Sequence, residues 1–294
     1  LEGGVSGQSA GWSDLEAVLA KPIAERVVPL TRLGRLAQGG AGDRTAVAAA
    51  LAQIVTSGAG STEERMEVGE LLAELGDPRL HTPDQADYWA SLTTEDGTFE
   101  IGRQPVTNAE WKVFVADGAY ERPEWWSAEG WAFVSSLTDP WPKKAAMADA
   151  AAFVIDNQPV VGVSWHEAKA YAARHGARLP LFDERLFATR GPAKRPYPWG
   201  SPFGKGNANT REEVLGRPCA VGLFVNDRTP EGIVDLAGNV AEWTEDGAGD
   251  ERWLHPGCWA DSFESSWAKA RVLVRPTHRS ARLGFRLARG GYGA

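Results

Sequence analysis

Asp235-Leu236-Ala237-Gly238-Asn239-Val240-Ala241-Glu242-Trp243 is the stretch on which the reading of this chain turns. Two carboxylates bracket a tight Gly-Asn turn whose backbone carbonyls can converge, and a hard cation with oxygen ligands suits such a loop. Trp243 closes it and is one of 13 tryptophans in the chain. Each needs a large packing partner and somewhere for its indole N–H. So many tryptophans, together with 33 Gly and 18 Pro, indicate a loop-rich domain pinned by aromatic anchors rather than a helical bundle or a simple α/β sheet.

Outward from this stretch, the helices are short and isolated. Thr107-Asn108-Ala109-Glu110 and Ser164-Trp165-His166-Glu167 are capping boxes, with Gly118 and Gly176 placed to stop the helices they open. A further helix is expected over Phe182–Thr189, before Gly191-Pro192, and beyond Pro196 the signals are turns and short strands. Helices scattered through a short-stranded domain form an α+β pattern. The N-terminal part differs. Ser13-Asp14-Leu15-Glu16 is a capping box, a second helix is expected from Arg44 to Thr56, and a third starts at Ser61-Thr62-Glu63-Glu64 and stops at Gly76-Asp77-Pro78. The organisation expected is a small helical region over residues 1–85 and a larger α+β domain over 86–294.

The bulk numbers exclude several partners. The 294 residues carry a net charge of −8 with no basic stripe, which argues against nucleic acid and anionic membrane as partners. No run of about 18 apolar residues is present to cross a bilayer, and no basic and apolar leader pattern opens the chain; a cytoplasmic location is the expectation. Two cysteines, Cys219 and Cys258, are too few for a disulfide framework or a cysteine-based zinc site, and two free thiols are expected.

Several motifs, in order, resemble the formylglycine-generating-enzyme (sulfatase-modifying factor) family. They are Gly97-Thr98-Phe99, Pro105-Val106-Thr107-Asn108, Pro159-Val160-Val161-Gly162-Val163-Ser164-Trp165, Arg178-Leu179-Pro180, Tyr197-Pro198-Trp199-Gly200, the Gly238-Asn239 loop with Glu242-Trp243, and Leu283-Gly284-Phe285-Arg286. The resemblance implies a C-type-lectin-like fold with little regular sheet and long ordered loops. It departs from the family at Leu181-Phe182, where a helix cap is lost, and at Pro256-Gly257-Cys258, where the family has Gly-Gly-Ser.

The family's oxidases hold copper between two cysteines after that Gly-Gly-Ser, since soft thiolates suit Cu(I). Here those positions are Asp261 and Ser266. Another branch holds iron through histidines of an attached helical bundle. Of the five histidines, only His81 lies near the helical region, and His166 and His175 do not have the i,i+4 spacing of a metal pair. On these residues no enzymatic activity is expected, and a copper-dependent formylglycine-generating oxidase stands only as a third, lesser alternative. The resemblance also implies a structural calcium on Asp235 and Glu242 side chains with the main-chain oxygens of Gly238 and Val240. A weaker second site involves Asn209, Thr210 and Glu212 or Glu213.

A binding surface remains. Cys258–Lys269 places aromatics at 259, 263 and 267 among small and polar residues and is followed by the Arg-rich stretch to Arg282. That composition suits a paratope. In one branch of the family, the variable proteins of diversity-generating retroelements, this stretch is hypervariable. The resemblance therefore implies a display protein binding a protein or peptide ligand through Ala260, Asp261, Phe263, Ser265, Ser266, Val272, Val274, Thr277, His278, Ser280, Ala281 and Arg282. Trp259, Arg271 and Phe285 are expected to be scaffold. The alternative is a sensor or regulatory domain of a larger signalling assembly.

Overall fold

A computed structural model describes residues 14–138 and 151–291. They form two compact units, one ending at His81 and the other beginning at Thr82. Ser13, the expected first cap, lies outside the described residues.

The first unit contains helices α1 (Val27–Gln38), α2 (Arg44–Ser57) and α3 (Thr62–Leu75). Local chemistry sets their ends. Asp43 accepts from the Ala46 N–H, Gly58 closes α2 in the left-handed region, and Ser61 and Glu64 form a reciprocal capping box. Helix α1 was not among the expected elements, and Pro29 stands within it. Pro29 occupies the first turn, however, where the helix has no use for its N–H. A Cβ at Gly34 would stand 3.1 Å from both Leu51 and Leu71, so that glycine lets the three helices pack closely.

The second unit is α+β. Strands β1 (Trp89–Thr94) and β2 (Gly97–Gly102) form a hairpin, followed by helices α4 (Asn108–Ala116), α5 (Ala128–Ser135), α6 (Trp165–Arg174) and α7 (Phe182–Arg190). Then come β3 (Ala241–Ala248), β4 (Glu251–His255), β5 (Val272–Val274), β6 (Leu283–Gly284) and β7 (Ala288–Gly290). Two sheets result, ordered β1-β2-β7 and β5-β4-β3-β6. The β3–β6 pair is parallel and the other pairs are antiparallel. The capping boxes at Thr107 and Ser164 form as read.

The lost cap at Leu181 is compensated from a distance. The Phe182 N–H donates to Asp246 Oδ1 at 2.7 Å from β3, while the Leu181 N–H donates to Glu184 at 2.8 Å. Trp111, Phe114, Tyr171 and Phe285 form the aromatic centre of the core, with ring centroids 5.0–6.0 Å apart. Trp243 is fully buried and its Nε1 donates to the Val163 carbonyl at 3.0 Å. The conspicuous Trp therefore ties the 235–243 loop to the entry of α6. Among the described residues no helix is long and apolar enough to cross a membrane.

Candidate functional site

The 235–243 loop turns through left-handed backbone at Asp235 and Asn239, with φ of 56° and 69°. Gly238 passes so close to residue 209 that a Cβ would stand 2.6 Å from the Asn209 carbonyl oxygen, which is why no other residue fits. The Asp235 carboxylate accepts from the Gly222 N–H at 2.9 Å. Asp227, from the preceding loop, accepts from the N–H groups of Leu236 at 2.9 Å and Ala237 at 3.0 Å. Both carboxyls are buried. Burial pushes Asp227 up to about 7, with the neighbouring Asp235 adding to the effect. Burial likewise lifts Asp235 to about 6, against the pull of the Gly222 N–H and Arg286.

Glu242 faces a different environment. Its Oε2 accepts from Arg185 Nε at 2.7 Å and Arg286 Nε at 2.8 Å, and its Oε1 accepts from Arg286 Nη2 at 2.7 Å. All three side chains are buried. The free guanidinium edges are also used: Arg185 donates to the Leu236 carbonyl and to Thr189, and Arg286 donates to the carbonyls of Val234, Asp235 and Gly102. Burial alone would raise the Glu242 carboxyl, but the two guanidiniums outweigh it and hold it at about 2.

The calcium set expected from the resemblance was Asp235, Gly238, Val240 and Glu242, and it does not fit this arrangement. Both Glu242 oxygens are taken by guanidiniums, and a divalent cation there would sit against two positive charges. Asp235 is turned to the Gly222 N–H instead. Among the described residues no group of three or more His, Cys, Asp or Glu is placed to hold a metal ion. Asn209, of the weaker second site, spends its amide on the Arg217 carbonyl and on Asn239. Thr210 donates to Glu212 at 2.7 Å, and Glu213 accepts from the Gly206 N–H. Arg185 and Asp227 escaped the sequence reading, and only a fully buried Glu242 signals that a cation from elsewhere must meet it.

The residues singled out between 258 and 282 include three sets with contacts of their own. Phe263 stacks on Phe203 at 4.9 Å, beside the stacked Tyr197–Trp199 pair. Trp259 packs on Phe153 at 5.8 Å, donates to the Ala281 carbonyl and lies beneath Arg282, whose guanidinium is 3.9 Å from Asp261. Val272 and Val274 belong to β5. Val272, Thr277, His278 and Arg282 are exposed, and Ala260, Asp261, Phe263, Ser265, Val274, Ser280 and Ala281 are partly exposed. Ser266 is the exception. It is fully buried because Gly257 backs against it: a Cβ at Gly257 would be 3.1 Å from the Ser266 Cα. It is scaffold, not ligand surface. Of the residues expected to be scaffold, Phe285 is buried and Trp259 partly so, while Arg271 is exposed and lies over the Trp253 ring at 4.4 Å. Trp267 is 48% exposed, so it does not anchor the core.

Helices α5 and α6 and strand β4 bring together Phe133, Trp165, His166 and Arg252. Arg252 lies over the Trp165 ring at 4.6 Å, and His166 stands 5.6 Å from Phe133 and 5.5 Å from Trp165. Burial lowers the His166 imidazole. Arg279 pairs with the buried Glu167 at 2.8 Å. Cys219 and Cys258 are both buried free thiols, and burial pushes Cys258 up to about 12.

The family described as Sulfatase-modifying factor enzyme 1-like domain matches residues 57–290. The chain is 34% identical over 225 residues to a Hercynine oxygenase of Mycolicibacterium thermoresistibile, a match covering 65% of this chain and 50% of that protein. It is 32% identical over 232 residues to the Inactive C-alpha-formylglycine-generating enzyme 2 of Mus musculus, covering 65% and 74%. Among solved structures, PvdO from Pseudomonas aeruginosa superposes with a TM-score of 0.50 at 21% identity, covering 67% of this chain and 82% of that one. The chain spans about half the length of the hercynine oxygenases it matches.

The expectation that the chain is not an enzyme is overturned by the hercynine oxygenase relatives, which point to enzymatic activity. The inference failed for a physical reason. Missing cysteine pairs and histidine clusters argue only against the particular copper and iron arrangements considered, and the absence of those residues does not exclude other chemistry.

Proposed function

The chain belongs to the sulfatase-modifying factor enzyme 1-like domain family, and from that premise we propose that it is the substrate-binding part of an oxygenase-type enzyme. The loop surface over residues 260–282 would hold a small ligand of the hercynine class. The observation that carries this reading is the 34% identity to a hercynine oxygenase over 225 residues. The exposed and half-exposed aromatic and arginine side chains of the loop surface support it. Aromatic faces attract quaternary ammonium groups, and arginines pair with carboxylates, so a betaine finds both of its ends served.

The test is calorimetric titration of the protein with hercynine, with histidine as the control. Saturable binding that weakens on Arg282→Ala or Phe263→Ala is expected. No heat with hercynine, or equal binding of histidine, refutes the reading.

A second reading keeps the same surface and makes it variable, as in retroelement variable proteins. What supports it is that every residue singled out there except Ser266 is at least partly exposed. Sequencing the gene's surroundings tests it. A reverse transcriptase and an imperfect repeat of the 3′ coding end are expected, and their absence refutes the variable surface.

A further inference from the structure

We propose that the outer edge of the second sheet, strand β5 with the arginines at its two ends, is a docking strand for an extended acidic segment of a partner protein. This goes beyond the substrate reading and does not depend on it. In the order β5-β4-β3-β6, β5 is an edge. Its one pairing is with β4, through Val274 to Arg252, Leu273 to Trp253 and Val272 to Leu254. Among the described residues, Val272–Val274 make no backbone hydrogen bond to any other element. Such a row of outward N–H and C=O groups is a template for another strand.

Its side chains select the partner. Val272 is 48% exposed, so the strand offers apolar contact. Arg271 and Arg275 flank it and are exposed, and Arg252 stands on β4 opposite Val274. Arg271 is held over the Trp253 and Phe182 rings, at 4.4 and 5.6 Å, and Arg252 over Trp165. These rings fix the guanidiniums in place without neutralising them. None of the three has an ion-pair partner among the described residues, whereas most of the arginines packed nearby, such as Arg279, Arg185 and Arg286, are paired. In a chain with a net charge of −8, this is a local concentration of unspent positive charge along a strand edge.

A second copy of the chain is a poor occupant, because antiparallel pairing of two such edges sets Arg271 against Arg275 of the other copy, and like charges directly opposite destabilise. A strand with carboxylates at those positions satisfies both the ladder and the arginines.

The probe is a panel of ten-residue peptides of alternating Val and Thr, carrying Glu or Lys at the flanking positions, titrated by fluorescence anisotropy. Amide exchange is followed at Val272–Val274. The Glu peptides are expected to bind, to weaken with added salt as screened charges do, and to slow exchange at β5. The Lys peptides are expected not to bind. Arg271→Glu with Arg275→Glu should weaken Glu-peptide binding at least tenfold, or about 1.4 kcal/mol. Should the double variant not fold, because Arg271 also covers Trp253, Arg275→Glu alone is read the same way and Arg275→Lys should restore binding. The proposal is overturned if no Glu peptide binds, if Glu and Lys peptides bind alike, if bound peptide leaves β5 exchange unchanged, or if the charge-reversed variant binds as the parent does. It is equally overturned if the edge is buried by self-association of the chain, in which case the arginines are only edge protection.

Discussion

Replacing Glu242 by Gln tests the physical heart of this fold, because it removes one charge while keeping shape and volume. In the native chain the carboxylate accepts from Arg185 Nε, Arg286 Nε and Arg286 Nη2 at 2.7–2.8 Å, and all three side chains are buried. The amide retains one acceptor oxygen and turns an NH2 toward a guanidinium, so two buried cations lose their counter-charge. Removing one partner from a buried pair costs about 3–5 kcal/mol. For a domain of this size about 1 kcal/mol moves Tm by roughly 2–4 °C, so a fall of about 6–20 °C is expected by calorimetry.

The linkage has a definite sign. The folded-state carboxyl is held at about 2, below its ordinary value of 4.5. Its contribution is therefore complete above pH 4.5 and is lost as pH falls toward 2. The stability gap between parent and Glu242→Gln should be constant from neutrality down to about pH 4.5 and should narrow below it. A Tm within about 2 °C of the parent, against the several degrees expected for a broken buried pair, would refute the clamp. So would a parent Tm that drops on adding EDTA when that of Glu242→Gln does not, since Glu242 would then be serving a metal.

Three further outcomes follow from the same coordinates. Gly238→Ala should cost at least about 1–3 kcal/mol, as overpacking does, because its methyl would stand 2.6 Å from the Asn209 carbonyl oxygen; urea denaturation measures it. Phe285→Ala, at the fully buried centre of the aromatic cluster, should cost about 3–5 kcal/mol, whereas Thr277→Ala on the exposed turn should stay within about 0.5 kcal/mol. Asp227 and Asp235 are raised to about 7 and about 6, so their protonated forms stabilise the fold and that part is lost as pH rises from about 4 to 7. Denaturation midpoints across that range should fall more steeply in the parent than in Asp235→Asn.

The sequence alone determined the features whose cause is local. The boxes at Ser61, Thr107 and Ser164 bind reciprocally over three residues, and Gly58, Gly118 and Gly176 adopt the left-handed backbone that stops or follows a helix. Such contacts are closed within one turn, so residue type and spacing suffice to read them. The motif order likewise carried the family resemblance, and with it the expectation of the fold class. What only the tertiary structure decided is which charge meets which. The nine residues from Asp235 to Trp243 read equally well as a calcium loop, and nothing within them says that Arg185 and Arg286, 57 and 44 residues away, occupy the Glu242 carboxylate. Nor does Leu181-Phe182 say that Asp246 caps α7 from 64 residues downstream. A buried carboxylate must be neutralised, but metal and guanidinium both satisfy that requirement. The choice is made where distant segments pack, and the loop sequence is the same in either case.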